Sequence, residues 1–285
     1  MMHHMTCTAP SDRLCKAIDS VCTPLCVGLD PVIEKLPEEL QVLPEKEAFG
    51  AFCLGVLDAI EGIAAAVKFQ SACFERIGSQ GVQLLGELRQ HAHLKGLQVI
   101  LDAKRGDIGI SAEHYAQAAT ADGPCDWITV NPYLGVDGIE PFLEAGLGVF
   151  CLVRTSNLGG DAIQKQCLED GRSVADSVAD LLTELGSNYL GSNGWSNLGA
   201  VVGATKPIEA HELRERMPSQ IFLMPGIGAQ GATVNDVASC FGNGYGALAT
   251  ASRSVIYPRA NQDWQTDIAN ACKNLQEDLK MNQLK

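Results

Sequence analysis

The charged residues Asp102, Lys104 and Asp107 fall within six positions, in the stretch Gln98–Ser111 (Q-V-I-L-D-A-K-R-G-D-I-G-I-S). The aliphatic, partly β-branched lead-in reads as a buried strand over Gln98–Lys104. Residues two apart on a strand share a face, so Asp102 and Lys104 are expected to point the same way. Charges in such a place are costly unless they neutralise one another, and a structural ion pair capping the strand would meet that need. Three alternating charges on so apolar a strand favour a site instead. Carboxylates beside a lysine keep it protonated, so the chemistry on offer is electrostatic stabilisation and proton donation. A second lysine, Lys68, stands near the end of another apolar run, A-A-A-V-K-F-Q at Ala64–Gln70.

A different chemistry is suggested by Met224–Gly231 (M-P-G-I-G-A-Q-G) and by Ser252-Arg253-Ser254. Glycines such as Gly226 and Gly228 let backbone N–H groups close on a phosphate, and a following helix N-terminus would add positive potential. A tight turn would use the same glycines. The partnership with Ser252 and Arg253 favours phosphate, with Gln230 at the loop's end.

The elements that must carry these residues alternate along the chain. Strands are expected at Leu25–Asp30, Ala64–Gln70, Gln98–Lys104, Trp127–Tyr133, Gly148–Ser156, Leu198–Ala204, Ile221–Pro225 and Tyr245–Ser252. Helices are expected at Ser11–Ser20, Lys46–Ile60, Ser79–His93, Ser111–Ala121, Ile139–Ala145, Arg172–Leu185, Ile208–Met217, Thr233–Cys240 and Asp263–Leu279, with a loop at Pro37–Pro44. Eight strands each followed by a helix is the count of an α/β fold of the (β/α)8 TIM-barrel type, although a doubly wound open sheet alternates similarly. The Gly/Ser/Asn-rich connector Gly186–Asn197 joins a helix to a strand and marks no domain boundary. The expected organisation is an N-terminal tail over residues 1–10 and a single barrel domain over 11–285. In such a barrel the strand C-termini hold the chemistry. Here they present Asp30, Lys68, Asp102, Lys104, Asn131, Thr155, Ser156, Thr205, the 226–230 loop and Arg253. For Asn131 and Thr205 the plainer reading, a strand meeting water, is preferred.

Composition narrows the partners. A net charge of −13 over 285 residues, with only 21 Lys and Arg, argues against nucleic acid and against an anionic membrane surface. No apolar run approaches a membrane span, and Met1–Pro10 lacks the apolar core of a signal peptide, so a cytoplasmic protein is expected. The eleven cysteines contain no C-x-x-C pair and make no metal spacing with the histidines, so most are expected to be reduced core thiols.

With these residues in place, the chain resembles the orotidine 5′-phosphate decarboxylase family, in its type 2 bacterial subfamily. D-A-K-R-G-D-I (Asp102–Ile108) matches the family signature D-x-K-x-x-D. The match runs from G-L-D-P (Gly28–Pro31) through V-K-F-Q, V-N-P-Y-L-G, V-R-T-S-N (Val153–Asn157) and G-A-V-V-G-A-T to P-G-I-G-A-Q-G, S-R-S and Tyr257. Phe69, Cys73, Leu158 and Ala232 depart from the pattern without touching a charged position. The resemblance implies decarboxylation of orotidine 5′-monophosphate to UMP and CO2, with no cofactor or metal, in a homodimer. Lys104 would protonate C6, Asp102 would face the departing carboxylate, and Lys68 and Asp107 would complete a Lys-Asp-Lys-Asp chain, Asp107 reaching across the dimer. Asp30 and Lys68 would hold ribose hydroxyls, Thr155 and Ser156 would lie at the pyrimidine edge, and Gly226, Gly228, Gln230, Ser252 and Arg253 would surround the phosphate. Two rivals remain: a Schiff-base aldolase, which needs a neutral lysine that flanking carboxylates oppose, and a non-catalytic phosphate-ligand binding protein, which has no need of the lysines.

Overall fold

The structure, a computed structural model, describes residues 8–227, 231–258 and 263–280. Eight parallel strands close into a barrel in sequence order: β1 (Leu25–Leu29), β2 (Ala66–Gln70), β3 (Gln98–Arg105), β4 (Trp127–Val130), β5 (Gly148–Arg154), β6 (Ser196–Val202), β7 (Gln220–Pro225) and β8 (Ala247–Ala251), with β8 returning to β1. Strands buried on both faces explain the near-continuous apolar runs in the sequence. Leu25, Val27 and Leu29 pack outward against the helical shell, whereas Cys26 belongs to the interior plug with Ile100, Trp127, Phe150, Val201 and Leu248. Within that plug the Trp127 and Phe150 rings stack with centroids 4.4 Å apart. Gly148, paired with Trp127 across β4 and β5, gives the indole its room: a Cβ there would lie 2.3 Å from the ring.

Helix Pro10–Val21 closes the N-terminal end of the barrel with Leu14, Ala17 and Ile18. Proline in its first turn loses no hydrogen bond, because the first N–H groups of a helix have no partner within it. Arg13 reaches Asp126 at 3.1 Å, and the Ser11 hydroxyl donates to Asn197 at 2.9 Å, so the helix is fastened to the residue before β4 and to the start of β6. The opposite mouth stays open to ligands.

Most helices match expectation within two residues, and the departures have local causes. β4 stops at Val130 rather than Tyr133, because Pro132 has no N–H for the ladder and starts a 3-10 turn, Pro132–Leu134. The Asn131 side chain accepts the Tyr133 N–H in that turn, which agrees with its structural reading. The Pro37–Pro44 loop contains a helical turn, Glu38–Gln41, with two acidic residues in its first turn. Thr233–Cys240 is not an α-helix. A 3-10 segment, Asn235–Phe241, stands there, in a stretch poor in strong helix formers. The helix dipole expected behind the Met224–Gly231 loop is therefore not present. β6 begins at Ser196, inside the expected connector, which also holds a 3-10 turn, Ser187–Tyr189. Cys15, Cys26, Cys53, Cys151, Cys240 and Cys272 are buried free thiols.

Candidate active site

At the C-terminal mouth, a cavity of about 280 Å³ is lined by residues of β2 through β8, with Asp30 from the end of β1 and residues of the loops that follow the strands. Its floor is an ionic cluster. Lys68 Nζ lies 2.7 Å from Asp102 Oδ2 and 3.6 Å from Asp30 Oδ1, and Lys104 Nζ lies 2.6 Å from Asp102 Oδ1. Two ammonium groups and two carboxylates thus neutralise one another, which is the condition for keeping charges at a strand end out of water. The Lys68 and Asp102 side chains are only 7% and 8% exposed, but that of Lys104 is 45% exposed. Of the two lysines, Lys104 is therefore the more open to a ligand, while Lys68 lines the cavity from a buried position.

The electrostatics follow from this packing. Burial pushes the Asp102 carboxyl upward, but Lys68 and Lys104 outweigh it and hold the group at about 2. Burial pulls the Lys68 ammonium downward, yet Asp102 and Asp30 overcome this and leave it above the ordinary lysine value. A nucleophilic amine requires the opposite shift, so Lys68 is unsuited to Schiff-base chemistry.

Lys104 does not sit on a regular strand, which corrects the simple alternation expected of Asp102 and Lys104. The β3–β4 pairing runs Ile100 with Trp127 and Leu101 with Ile128, then resumes at Arg105 with Val130. Asp102, Ala103 and Lys104 thus face Thr129 alone, and Lys104 takes a left-handed backbone with φ of 46°. The two charged side chains converge because of this bulge rather than through the two-residue repeat of a strand.

A second wall comes from the later strands. Gly226, Ser252 and Arg253 line the cavity, and Arg253 is exposed. Ser252 packs directly over β1, where a Cβ at Gly28 would lie 1.9 Å from its Oγ, so the glycine of G-L-D-P lets Ser252 reach the mouth. Gly228 and Gln230 lie outside the described residues. Thr155 and Ser156 line the side formed by β5. The Thr155 hydroxyl donates to Asn157 Oδ1 at 2.7 Å and accepts from Gln164 Nε2 at 2.8 Å, so the loop after β5 is tied back on itself. The buried Arg154 strengthens that tie through Gln164 at 3.1 Å and Asp161 at 2.8 Å.

Asp107 stands apart. Its carboxylate accepts the Ile108 N–H at 2.9 Å, it makes no ion pair among the described residues, and it does not line its own chain's cavity. Nearby are the exposed apolar side chains Ile108, Ile110, Tyr133 and Leu134.

Sequence reasoning missed Gln70, Thr129, Asn157 and Thr250, all of which line the cavity. Gln70 was open to discovery, since it lies two positions beyond Lys68 on the same strand. Thr129 gave no such signal, because a threonine in a buried run reads as a β-former.

The sequence profile of the orotidine 5′-phosphate decarboxylase / HUMPS family matches residues 23–255. The orotidine 5′-phosphate decarboxylase of Rhodopirellula baltica is 41% identical over 283 residues, covering 90% of this chain and 93% of its own. That of Clostridium perfringens is 40% identical over 239 residues, covering 81% of this chain and 83% of its own. Among solved structures, the OMP decarboxylase of Leishmania donovani superposes with a TM-score of 0.80 at 31% identity, covering 97% of this chain and 98% of its own. A shared barrel alone would say little about chemistry, but here the match runs through both walls of the cavity: the chain belongs to the orotidine 5′-phosphate decarboxylase family.

Proposed function

We propose that this carboxy-lyase of pyrimidine biosynthesis converts orotidine 5′-monophosphate to UMP and CO2 without a cofactor or metal, with Lys104 as the proton donor to C6. The observation that carries this reading is Asp102 clamped between Lys68 and Lys104, with Lys104 the more exposed of the two lysines. Breaking the bond from C6 to the carboxylate leaves an electron pair on a ring carbon that an adjacent carbonyl cannot delocalise. A fixed ammonium beside that carbon stabilises the developing charge. Its proton then passes from Nζ to C6, CO2 departs, and the neutral amine regains a proton from solvent. Asp102 holds the ammonium in place and faces the departing carboxylate.

The remaining roles follow from position. Asp30 and Lys68 hold the ribose hydroxyls, Thr155 and Ser156 border the pyrimidine, and Gly226, Gly228, Gln230, Ser252 and Arg253 take the phosphate. The site is completed by the partner's Asp107 in a twofold dimer. A stopped ultraviolet assay following loss of the orotate chromophore tests the reaction itself. If purified protein leaves that chromophore unchanged while still binding UMP, the binding-protein reading replaces this one.

Arg253 is exposed at the mouth and makes no ion pair among the described residues, so its guanidinium is available to an anionic ligand. Arg253→Ala is expected to raise KM about 10- to 100-fold, the worth of a charge-assisted hydrogen bond, with a smaller effect on kcat. The reverse pattern, an unchanged KM with kcat lost, contradicts the assignment.

Metal dependence offers a further check. Among the described residues no three His, Cys, Asp or Glu side chains are grouped to hold a metal ion, and the carboxylates of the cluster are engaged by lysines. Turnover is expected to persist in excess chelator. Loss of activity on chelation, restored by zinc or magnesium, rules out the cofactor-free mechanism.

A further inference from the structure

From the geometry of the β3 bulge we infer that Thr129 is a positioning residue for the decarboxylation, its hydroxyl setting Lys104 and Asp102 against one another. The inference rests on the roles proposed above for those two residues, and goes beyond them.

Three residues of β3 are set against one residue of β4, and that residue is Thr129. A bulge leaves ladder groups without their regular partners. Here the Lys104 N–H donates to Thr129 Oγ1 at 2.9 Å, so a side-chain oxygen stands in for a strand carbonyl. The same hydroxyl donates its proton to Asp102 Oδ1 at 2.9 Å. One hydroxyl has one proton to give and lone pairs to accept with, so both bonds are made together without conflict. Asp102 Oδ1 is also the oxygen that Lys104 Nζ approaches at 2.6 Å. Thr129, Asp102 and Lys104 thus close a ring of three contacts, in which the hydroxyl sets both the backbone of the lysine and the carboxylate that holds its ammonium.

Two further observations separate this from ordinary packing. Thr129 is 1% exposed, so neither bond has bulk water as a substitute. Among the described residues, only Cys22 and Lys104 outside glycine have positive φ. Cys22 is the residue after a helix, where a left-handed turn is common. Lys104 has no such excuse, and a lysine remains in that region only where its surroundings hold it. The Thr129 hydroxyl is the group bonded to its N–H. Valine has nearly the same shape as threonine but can do none of this.

Thr129→Val is therefore expected to lower kcat about 10- to 100-fold, the effect of losing hydrogen bonds to a charged group. KM and the affinity for UMP should stay within about twofold, since the phosphate and ribose contacts lie on other strands. Thr129→Ser, which keeps the hydroxyl, should restore kcat to within a fewfold of the parent. The acidic limb of the kcat profile should also move to higher pH in Thr129→Val. Asp102 loses a donor that favours its charged form, so its pKa rises toward the working range. If Thr129→Val does not fold, Thr129→Ala carries the same expectations. An unchanged kcat in the hydroxyl-free variant overturns the inference. So does equal damage in Thr129→Ser, which would trace the effect to the methyl group. A kcat loss matched by an equal loss of UMP affinity overturns it too, as general disorder of the site. Lys104→Ala, measured alongside, keeps the two levels apart. If that variant still turns over, the proton-donor reading has failed. If it is inactive while Thr129→Val is normal, only the role of Thr129 has failed.

Discussion

Lys104→Ala is expected to lower kcat by at least about four orders of magnitude, because in the proposed mechanism one ammonium supplies both charge stabilisation and the proton. The affinity for UMP should change little. Lys104 is the exposed arm of the ionic cluster, whereas the groups assigned to phosphate and ribose sit on β1, β2, β7 and β8 and beyond their ends. Removing it leaves Asp102 paired with Lys68 at 2.7 Å, so the carboxylate keeps one partner and the barrel stays intact. Two measurements decide the matter: turnover by loss of the orotate chromophore, and UMP binding by titration calorimetry. A variant with near-parent kcat would end the proton-donor assignment. One that lost UMP binding in step with turnover would make Lys104 a binding residue instead.

The sequence made the barrel and the ionic cluster legible because both rest on strong, local signals. Eight apolar runs alternating with amphipathic stretches admit few architectures, and a parallel closed sheet requires them to be buried on both faces. Lys68, Asp102 and Lys104 stood out because charges on such runs need an explanation. Geometry that depends on pairing between distant segments was harder to read. The β3 bulge arises from the register of Asp102–Lys104 against Thr129, 25 to 27 positions away, and no spacing within either strand announces it. The 3-10 segment Asn235–Phe241 was missed for another reason. Its apolar spacing suits a helix, while its weak helix propensity decides how the segment winds. Arg154 was hidden by its type: arginine is seldom fully buried, and here Asp161, Gln164 and Glu209 make that burial tolerable.

Asp107 supplies the second large effect, and it concerns assembly. The residue lies three positions beyond Lys104, past the strand end and Gly106, and its side chain does not join its own chain's cavity. The exposed apolar groups Ile108, Ile110, Tyr133 and Leu134 around it suit a buried twofold contact better than open water. If Asp107 completes the neighbour's site, Asp107→Ala and Lys104→Ala are each nearly inactive alone, yet their mixture recovers. In a mixed dimer, the Asp107→Ala subunit keeps its own Lys104 and receives an intact Asp107 from the other chain, so one site is whole. The second site carries both defects. Random pairing makes about half the dimers mixed, so about a quarter of all sites should regain activity after exchange. Were Asp107 to act within its own chain, every site in every pairing would lack one group or the other. Exchange can be followed independently by tagging one variant and weighing the mixed species by native mass spectrometry. Mixed dimers present in the expected proportion but without recovered turnover would rule out a shared site and return Asp107 to a structural role at the β3 loop.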